Sequence, residues 1–241
     1  MSVSIGIDQA RYYESYTRAG TYLNLMNELL RQVEIKPCIV EHLRSKGRVR
    51  LLMLGSATVE NVYQLARIDQ FLRPGQERVE KDEVVIIDLN LYPLHLHQEL
   101  TRELDKGLSD WSEEPYSTPE FPLPSYTLAQ ADMRELPFTA GSMDVVVSDF
   151  TFNFLSDCMS IEQAFSSVAN TMPTNGIMLM TVRCHMAGTL TGEPVVENLS
   201  GNTLVHCFSA KTYIEAARKF GLEVSTSYMP WKELFCIFEK V

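Results

Sequence analysis

The chain has 241 residues, of which 45% are hydrophobic, 22% charged and 10% aromatic, a composition typical of a globular protein and not of a disordered one. Acidic residues outnumber basic residues by 31 to 21, and the resulting net charge of −10 disfavours nucleic acid and anionic membranes as partners. No apolar run reaches the roughly 18 residues of a transmembrane helix, and the first residues lack a secretion-signal pattern, so the sequence predicts a cytoplasmic protein.

The cysteines agree with that location. The sequence has five, widely spaced and never arranged as Cys-x-x-Cys. This pattern disfavours both a disulfide framework and a zinc cluster, and we expect reduced thiols and no metal site.

Residues 1–47 are interpreted as an N-terminal helical extension that acts as a lid. A second helix in this segment is predicted to begin at Pro37, a favourable residue for a first helical turn, and to end at Gly47. Apolar residues recur at helical spacing before it, namely Leu23, Met26, Leu29, Leu30 and Val33.

Residues 48–241 are predicted to form one α/β domain. Strands alternate with helices, which indicates parallel βαβ units buried on both faces. A proline-rich loop is predicted at 105–125 and a polar loop before the last helix. The last two strands are too close together for a helix between them and must be antiparallel. The predicted strands are 49–54, 84–88, 126–130, 145–149, 177–182, 222–228 and 233–240, and the helices are 60–71, 93–104, 161–172 and 209–220.

Two strand ends are candidate ligand contacts, because open α/β sheets bind ligands beyond the carboxyl ends of their strands. Gly55 ends the first strand and permits a tight turn close to a ligand. Asp88 ends the second strand, where a carboxylate can accept hydrogen bonds from both hydroxyls of a ribose. The loop after Gly55 has no further glycine and leads to Glu60, which argues against a dinucleotide pyrophosphate and favours S-adenosylmethionine. Simple turn and cap roles remain alternatives for both residues.

Five ordered segments resemble motifs of the class I S-adenosylmethionine-dependent methyltransferases, and the resemblance covers about residues 49–241. It implies a three-layer, Rossmann-like, seven-stranded and mostly parallel sheet with a C-terminal antiparallel hairpin and added N-terminal helices. The segments are LLMLGSA (51–57), VIIDLN (85–90), QADMRELPF (130–138), SMDVVVSD with the six residues after it (142–155), and PTNGI (173–177).

The same resemblance implies S-adenosylmethionine as the cofactor. It places Asp88 on the ribose hydroxyls and Asp132 on the adenine amino group, with the Met133 backbone N–H on the adenine ring. Leu89 or Met133 would flank the adenine face, and Gly55 would lie under the methionine part. The implied cofactor-binding residues are Gly55, Ser56, Ala57, Asp88, Leu89, Asp132, Met133, Ser148, Asp149 and Phe150, of which the last three would line the transfer site.

The first motif departs from the family pattern at three positions. Met53 stands where the family usually has an acidic residue that helps to hold the cofactor's amino group. Ala57 and Val59 stand where it usually has glycines. Glu60 or the N-terminal tyrosines would then supply the missing polar contact.

The sequence offers three candidate catalytic residues. Tyr16 lies in the N-terminal helix that, in similar methyltransferases, closes over the cofactor. His185 follows the fifth strand and His206 precedes the last helix, and an imidazole is suited to act as a general base near neutral pH. Packing roles remain the simpler alternative for all three.

The sequence therefore predicts an S-adenosylmethionine-dependent methyltransferase that acts on a small-molecule acceptor. The altered first motif motivates the alternative, a non-catalytic methyltransferase-like protein with a binding or regulatory role. The sequence leaves a homodimer open.

Overall fold

The computed structural model of the chain describes residues 37–46, 48–55, 83–89, 126–185, 193–199, 203–228 and 232–241. The predicted helices at 60–71 and 93–104, the loop at 105–125 and the first 36 residues lie outside these ranges. In the described part, no helix is long and apolar enough to cross a membrane.

The main sheet has seven strands in the order β3-β2-β1-β4-β5-β9-β8, which confirms the predicted Rossmann-like architecture. The first five strands pair in parallel, and β9 pairs antiparallel with both β5 and β8. The strands are β1 (Arg50–Leu54), β2 (Glu83–Asp88), β3 (Tyr126–Gln130), β4 (Val145–Asp149), β5 (Ile177–Arg183), β8 (Leu222–Tyr228) and β9 (Glu233–Lys240).

Three α-helices and one 3-10 turn are described. Helix α2 begins after Asp157, whose carboxylate accepts a 2.8 Å hydrogen bond from the Ser160 N–H. Helix α3 begins after Ser209, as predicted, and the Ser209 hydroxyl accepts from the Thr212 N–H. The elements are α1 (Pro37–Ser45), the 3-10 turn (Thr151–Phe154), α2 (Cys158–Thr171) and α3 (Ala210–Arg218).

Both faces of the sheet are buried, which is why its central strands are continuous apolar runs. Along β1, Leu52 and Leu54 pack on the side of α2 and α3, whereas Leu51 and Met53 pack in a second apolar cluster on the other side. Leu43 of α1 belongs to that second cluster. Burial of each such side chain contributes roughly 1.5–3 kcal/mol, so the sheet provides a rigid base for its edge residues.

The predicted polar loop before the last helix is wrong in one respect, because it contains a β-hairpin. Strands β6 (Val195–Leu199) and β7 (Thr203–Cys207) pair antiparallel as a separate two-stranded sheet. The reason is local: the strands contain the β-branched residues Val195, Val196, Thr203 and Val205, and the Gly201-Asn202 pair between them is typical of turns. The hairpin is inserted between β5 and α3.

Candidate functional site

The candidate site lies where β1 and β4 pair at the centre of the sheet. From β1 the chain continues to β2 and β3 on one side, whereas β4 is followed by β5 on the other. The strand order therefore reverses between β1 and β4, and ligands of open α/β sheets bind at such a switch point. Gly55 and Asp149 lie there, at the carboxyl ends of the two strands.

Gly55 has a backbone conformation that favours glycine, with φ at +84°. Its N–H donates to the Ile87 carbonyl at 2.8 Å. A Cβ at this position would lie 2.5 Å from Thr151 Oγ1, and that hydroxyl already donates to the Leu54 carbonyl at 2.6 Å. The end of β1 and the turn after β4 are therefore held in direct contact.

Asp88 ends the neighbouring strand β2 and is half-buried. It lies in register with Gln130 of β3, and its carbonyl accepts from the Ala131 N–H at 3.0 Å. The Gln130 side chain donates to the Leu89 carbonyl, while 43% of Leu89 is exposed. Asp88 and Leu89 thus place a carboxylate and an exposed apolar side chain side by side on a well-anchored backbone.

Asp132 is half-buried and forms an ion pair with Arg134. The Arg134 guanidinium donates to both carboxylate oxygens, at 2.6 to 3.0 Å, and its backbone N–H donates to one of them. The hydrogen bonds from the Arg134 side chain hold the pKa of Asp132 below its usual range. An adenine amino group that binds here must share this carboxylate with Arg134, a residue that the sequence did not single out.

Met133 follows and packs partly buried against the core. Its backbone N–H has no hydrogen-bond partner among the residues that the structure describes. A donor is therefore present at the position that the resemblance assigns to the adenine ring.

Phe150 has a left-handed backbone, with φ at +53°, although it is not a glycine. Its N–H donates to the Thr181 carbonyl at 2.9 Å, and the Thr181 hydroxyl donates to the carboxylate of Asp149. A non-glycine residue in this conformation carries about 1–2 kcal/mol of strain, and strain of this kind clusters at functional sites. The carboxyl ends of β4 and β5 are thus fastened together.

Ser148 is less accessible than Asp149 and Phe150, the two residues that follow it. It is fully buried and in register with Leu54 and Met180, and in the part of the chain that the structure describes its hydroxyl has no hydrogen-bond partner. Its cofactor role stays a prediction, as do the roles of Ser56, Ala57 and Tyr16, which lie outside the described residues.

The two histidine candidates lie near the turn that follows β4. Asn153 of the 3-10 turn donates to the carbonyls of Arg183 and His206, at 2.9 and 3.1 Å, and the His185 N–H donates to the Phe208 carbonyl. The Nδ1 atoms of His185 and His206 are shielded from solvent, and neither has a hydrogen-bond partner among the described residues.

Sequence reasoning missed Thr151 and Asn153, which connect the parts of this site. A signal was present, because both are polar residues that alternate with Phe150, Phe152 and Phe154 directly after a buried strand.

The described residues contain no group of three or more His, Cys, Asp or Glu side chains that could hold a metal ion.

Comparison with known proteins identifies a family to which this chain is similar. The sequence profile of a family described as a methyltransferase domain matches residues 52–180, more than half of the chain. No curated protein sequence matches.

Solved structures share the fold at low sequence identity. A protein described among the S-adenosylmethionine-dependent methyltransferases, from Methanosarcina mazei, is 12% identical, with a TM-score of 0.59 over 87% of this chain and 99% of that one. The PH0226 protein from Pyrococcus horikoshii is 14% identical, with a TM-score of 0.61 over 96% and 99%. A Haloferax volcanii protein solved in complex with the Trm112 methyltransferase activator is 12% identical, with a TM-score of 0.58 over 96% of each chain.

Proposed function

Since this chain belongs to the class I S-adenosylmethionine-dependent methyltransferase family, we propose that it transfers the methyl group of S-adenosylmethionine to a small-molecule acceptor. One observation carries the proposal: Gly55, Asp88 and Asp149 end three adjacent strands at the switch point of the sheet. The formal charge of −10 favours a neutral or cationic acceptor over a nucleic acid.

The residues present fit the adenosine part of the cofactor. The left-handed Gly55 leaves room for close approach, because it has no Cβ. In the proposed arrangement, Asp88 holds the ribose hydroxyls, and Asp132 with the Met133 N–H meets the adenine. The fit is weaker at the amino end of the cofactor, because Met53 is fully buried in the apolar cluster and offers no polar atom there.

S-adenosylmethionine supplies an activated methyl group on a positively charged sulfur. The protein therefore has mainly to bind, orient and exclude water. Thr151 and Thr181 fix the backbone and the carboxylate on which the transfer site is built. Asp149 adds a negative charge at the end of β4, which stabilises a cationic sulfonium or amine nearby.

The cysteines favour a reducing compartment, and we infer a cytoplasmic location from them. All five are free thiols. Burial raises the pKa of Cys184 and of Cys236 to about 12, so both stay protonated at neutral pH. A protein partner is compatible with the fold, since the Haloferax volcanii structure is a complex with an activator.

Calorimetry with S-adenosylhomocysteine, the demethylated cofactor, tests the proposal. The wild-type protein should bind it, and Asp88→Ala should weaken binding by about 1.5–3 kcal/mol, or roughly tenfold to 150-fold, because charge-assisted hydrogen bonds are lost.

The matched control is Glu83→Ala at the opposite end of the same strand. Glu83 pairs with Arg48 and Arg50 at the amino edge of the sheet, so its removal should leave the affinity unchanged. A flat titration of the wild-type protein would refute cofactor binding and favour the non-catalytic alternative. Equal losses in both variants would refute the ribose assignment.

A further inference from the structure

Asn153 joins three segments of the chain at the carboxyl edge of the sheet. It lies in the 3-10 turn that follows Asp149 and Phe150, and it is 2% exposed. Its side-chain oxygen accepts a hydrogen bond from the Arg183 N–H at 2.8 Å. Its side-chain nitrogen donates to the carbonyls of Arg183 and His206, at 2.9 and 3.1 Å. One side chain therefore ties this turn to the end of β5 and to β7.

These hydrogen bonds engage both the donors and the acceptor of the Asn153 side chain. The amide N–H groups donate, and the amide oxygen accepts. Arg183 lies two residues beyond Thr181, the last residue of β5 that pairs with β4. The Asn153 amide therefore bonds to the backbone of β5 where the neighbouring strand has ended. Its removal would take hydrogen bonds from three backbone groups in the interior, which is a costly change.

The turn that Asn153 holds has a strained backbone. Phe150 is left-handed, and its carbonyl accepts a hydrogen bond from the Asn153 N–H at 3.1 Å. On the side of β1, the Thr151 hydroxyl donates to the Leu54 carbonyl. On the side of β5, the contacts are those of the Asn153 side chain. Strained backbone persists only where the surrounding contacts over-determine it, so we infer that Thr151 and Asn153 together keep Phe150 in this conformation.

We propose that Asn153 is a positioning residue for methyl transfer. It is buried and acts through the backbone of the turn, so that Asp149 and Phe150, the residues assigned to the transfer site, keep the geometry that the reaction requires. Methyl transfer depends on the exact placement of the reacting groups, and a small shift of this turn is therefore enough to impair it. The proposal rests on the proposed function, which defines the transfer site.

S-adenosylmethionine and S-adenosylhomocysteine form a matched pair of probes. They differ only in the methyl group and the positive charge on sulfur, and the transfer site is the part of the protein proposed to meet both. The adenosine that they share is assigned to Asp88 and Asp132, on the side of β1 away from β4. The ratio of the two affinities therefore reports on the transfer site, whereas the affinity for S-adenosylhomocysteine reports on the rest of the cofactor site.

Calorimetry measures both affinities in the wild-type protein and in Asn153→Ala. The variant should bind S-adenosylhomocysteine within about twofold of wild type. Its affinity for S-adenosylmethionine relative to S-adenosylhomocysteine should fall about three- to tenfold, the scale of one lost hydrogen bond, because Asp149 is no longer held in place near the sulfonium. An unchanged ratio would overturn this proposal alone, whereas wild-type protein that binds neither ligand would refute the proposed function as well.

Asn153→Asp is a second variant, which keeps the shape of the side chain. At neutral pH the introduced carboxylate still accepts from the Arg183 N–H but cannot donate to the two carbonyls. Burial raises the pKa of the introduced carboxyl group, and protonation restores one donor, so the affinity ratio should recover in part between pH 8 and pH 5. The ratio is divided by the wild-type ratio at each pH, which removes the titration of shared groups such as Asp149 and His206. A deficit that does not change with pH would contradict the role of the Asn153 donors.

Tyr213 of α3 supplies the control, because its hydroxyl donates to the same His206 carbonyl, at 3.4 Å. Tyr213→Phe removes this bond to β7 but leaves the bonds between Asn153 and Arg183 in place. Its affinity ratio should therefore stay within about twofold of wild type. A loss as large as that in Asn153→Ala would show that the effect comes from β7 and not from the turn after β4, and would overturn the proposal.

Discussion

The contact between Gly55 and Thr151 fixes the backbone at the point where the strand order reverses. The Thr151 hydroxyl occupies the space next to Gly55 Cα and donates to the Leu54 carbonyl. The main chain can keep this arrangement only without a Cβ at position 55. The contact joins the first motif to the fourth-strand segment, which are about a hundred residues apart in the sequence.

We predict that Gly55→Ala lowers the free energy of unfolding more than Gly141→Ala does. Both glycines have a positive φ, so both alanines incur a left-handed strain of about 1–2 kcal/mol. Only at position 55 does the new Cβ also clash, because at position 141 the nearest atom is 3.8 Å away. Urea denaturation measures both changes, and equal losses would show that the Thr151 contact relaxes freely.

Position 53, where the family usually has an acidic residue, is occupied by Met53, and an aspartate substitution tests whether an acidic side chain is tolerated there. Met53 is fully buried and in register with Ile86 and Val147, both apolar. Met53→Asp should destabilise the protein by about 3–5 kcal/mol, the range for an uncompensated buried charge, and should not improve cofactor affinity. Met53→Leu, which conserves volume, should cost less than about 1.5 kcal/mol. An aspartate variant that is stable and binds S-adenosylhomocysteine more tightly would contradict this.

At the scale of elements, Asp157 caps the start of α2, the helix that packs on the same face of the sheet as α3. The Ser160 backbone N–H donates to the Asp157 carboxylate and so holds the pKa of Asp157 below its usual range. Since the folded pKa is lowered, the stabilisation is complete above about pH 4 and is lost as the pH falls through the folded value.

Asp157→Ala should therefore lower stability by about 1 kcal/mol at neutral pH and by less in strong acid, where the wild-type cap is itself protonated. Asp157→Asn keeps a capping oxygen but does not titrate, so its stability should be close to wild type at neutral pH and less sensitive to acid. Denaturant unfolding at pH 7 and pH 3 measures the difference. An asparagine variant with the wild-type acid sensitivity would argue that other carboxylates dominate.

Elements with a strong local signal were predictable from the sequence. Pro37 marks the start of α1, Ser209 caps α3, and the apolar run at 145–147 forms β4. Helix α2 begins three residues before its predicted start, because the prediction followed the apolar period at Ile161 and overlooked the cap at Asp157. The β6–β7 hairpin was missed because its exposed face and short strands give a weak periodic pattern.

At the scale of the molecule, the seven-stranded and mostly parallel sheet followed from the resemblance, and the strand ends that carry Gly55, Asp88 and Asp149 followed from the apolar runs before them. The side-chain partners did not follow. The pairing of Asp132 with Arg134 and the three bonds of Asn153 depend on distances across turns, which hydrophobic periodicity does not encode. Sequence reasoning therefore predicted which residues end the strands better than the side-chain contacts that hold those ends together.

The pairing of β1 with β4 has a consequence for folding kinetics. The Arg50 N–H donates to the carboxylate of Asp144, a residue 94 positions later in the chain, immediately before β4. Closing a segment of that length reduces chain entropy before the contacts that reward it have formed, so topologies of this kind fold slowly. We expect the edges of β1 and β4 to stay unpaired until this long segment closes. During that time, association between unfolded chains competes with the folding of each chain.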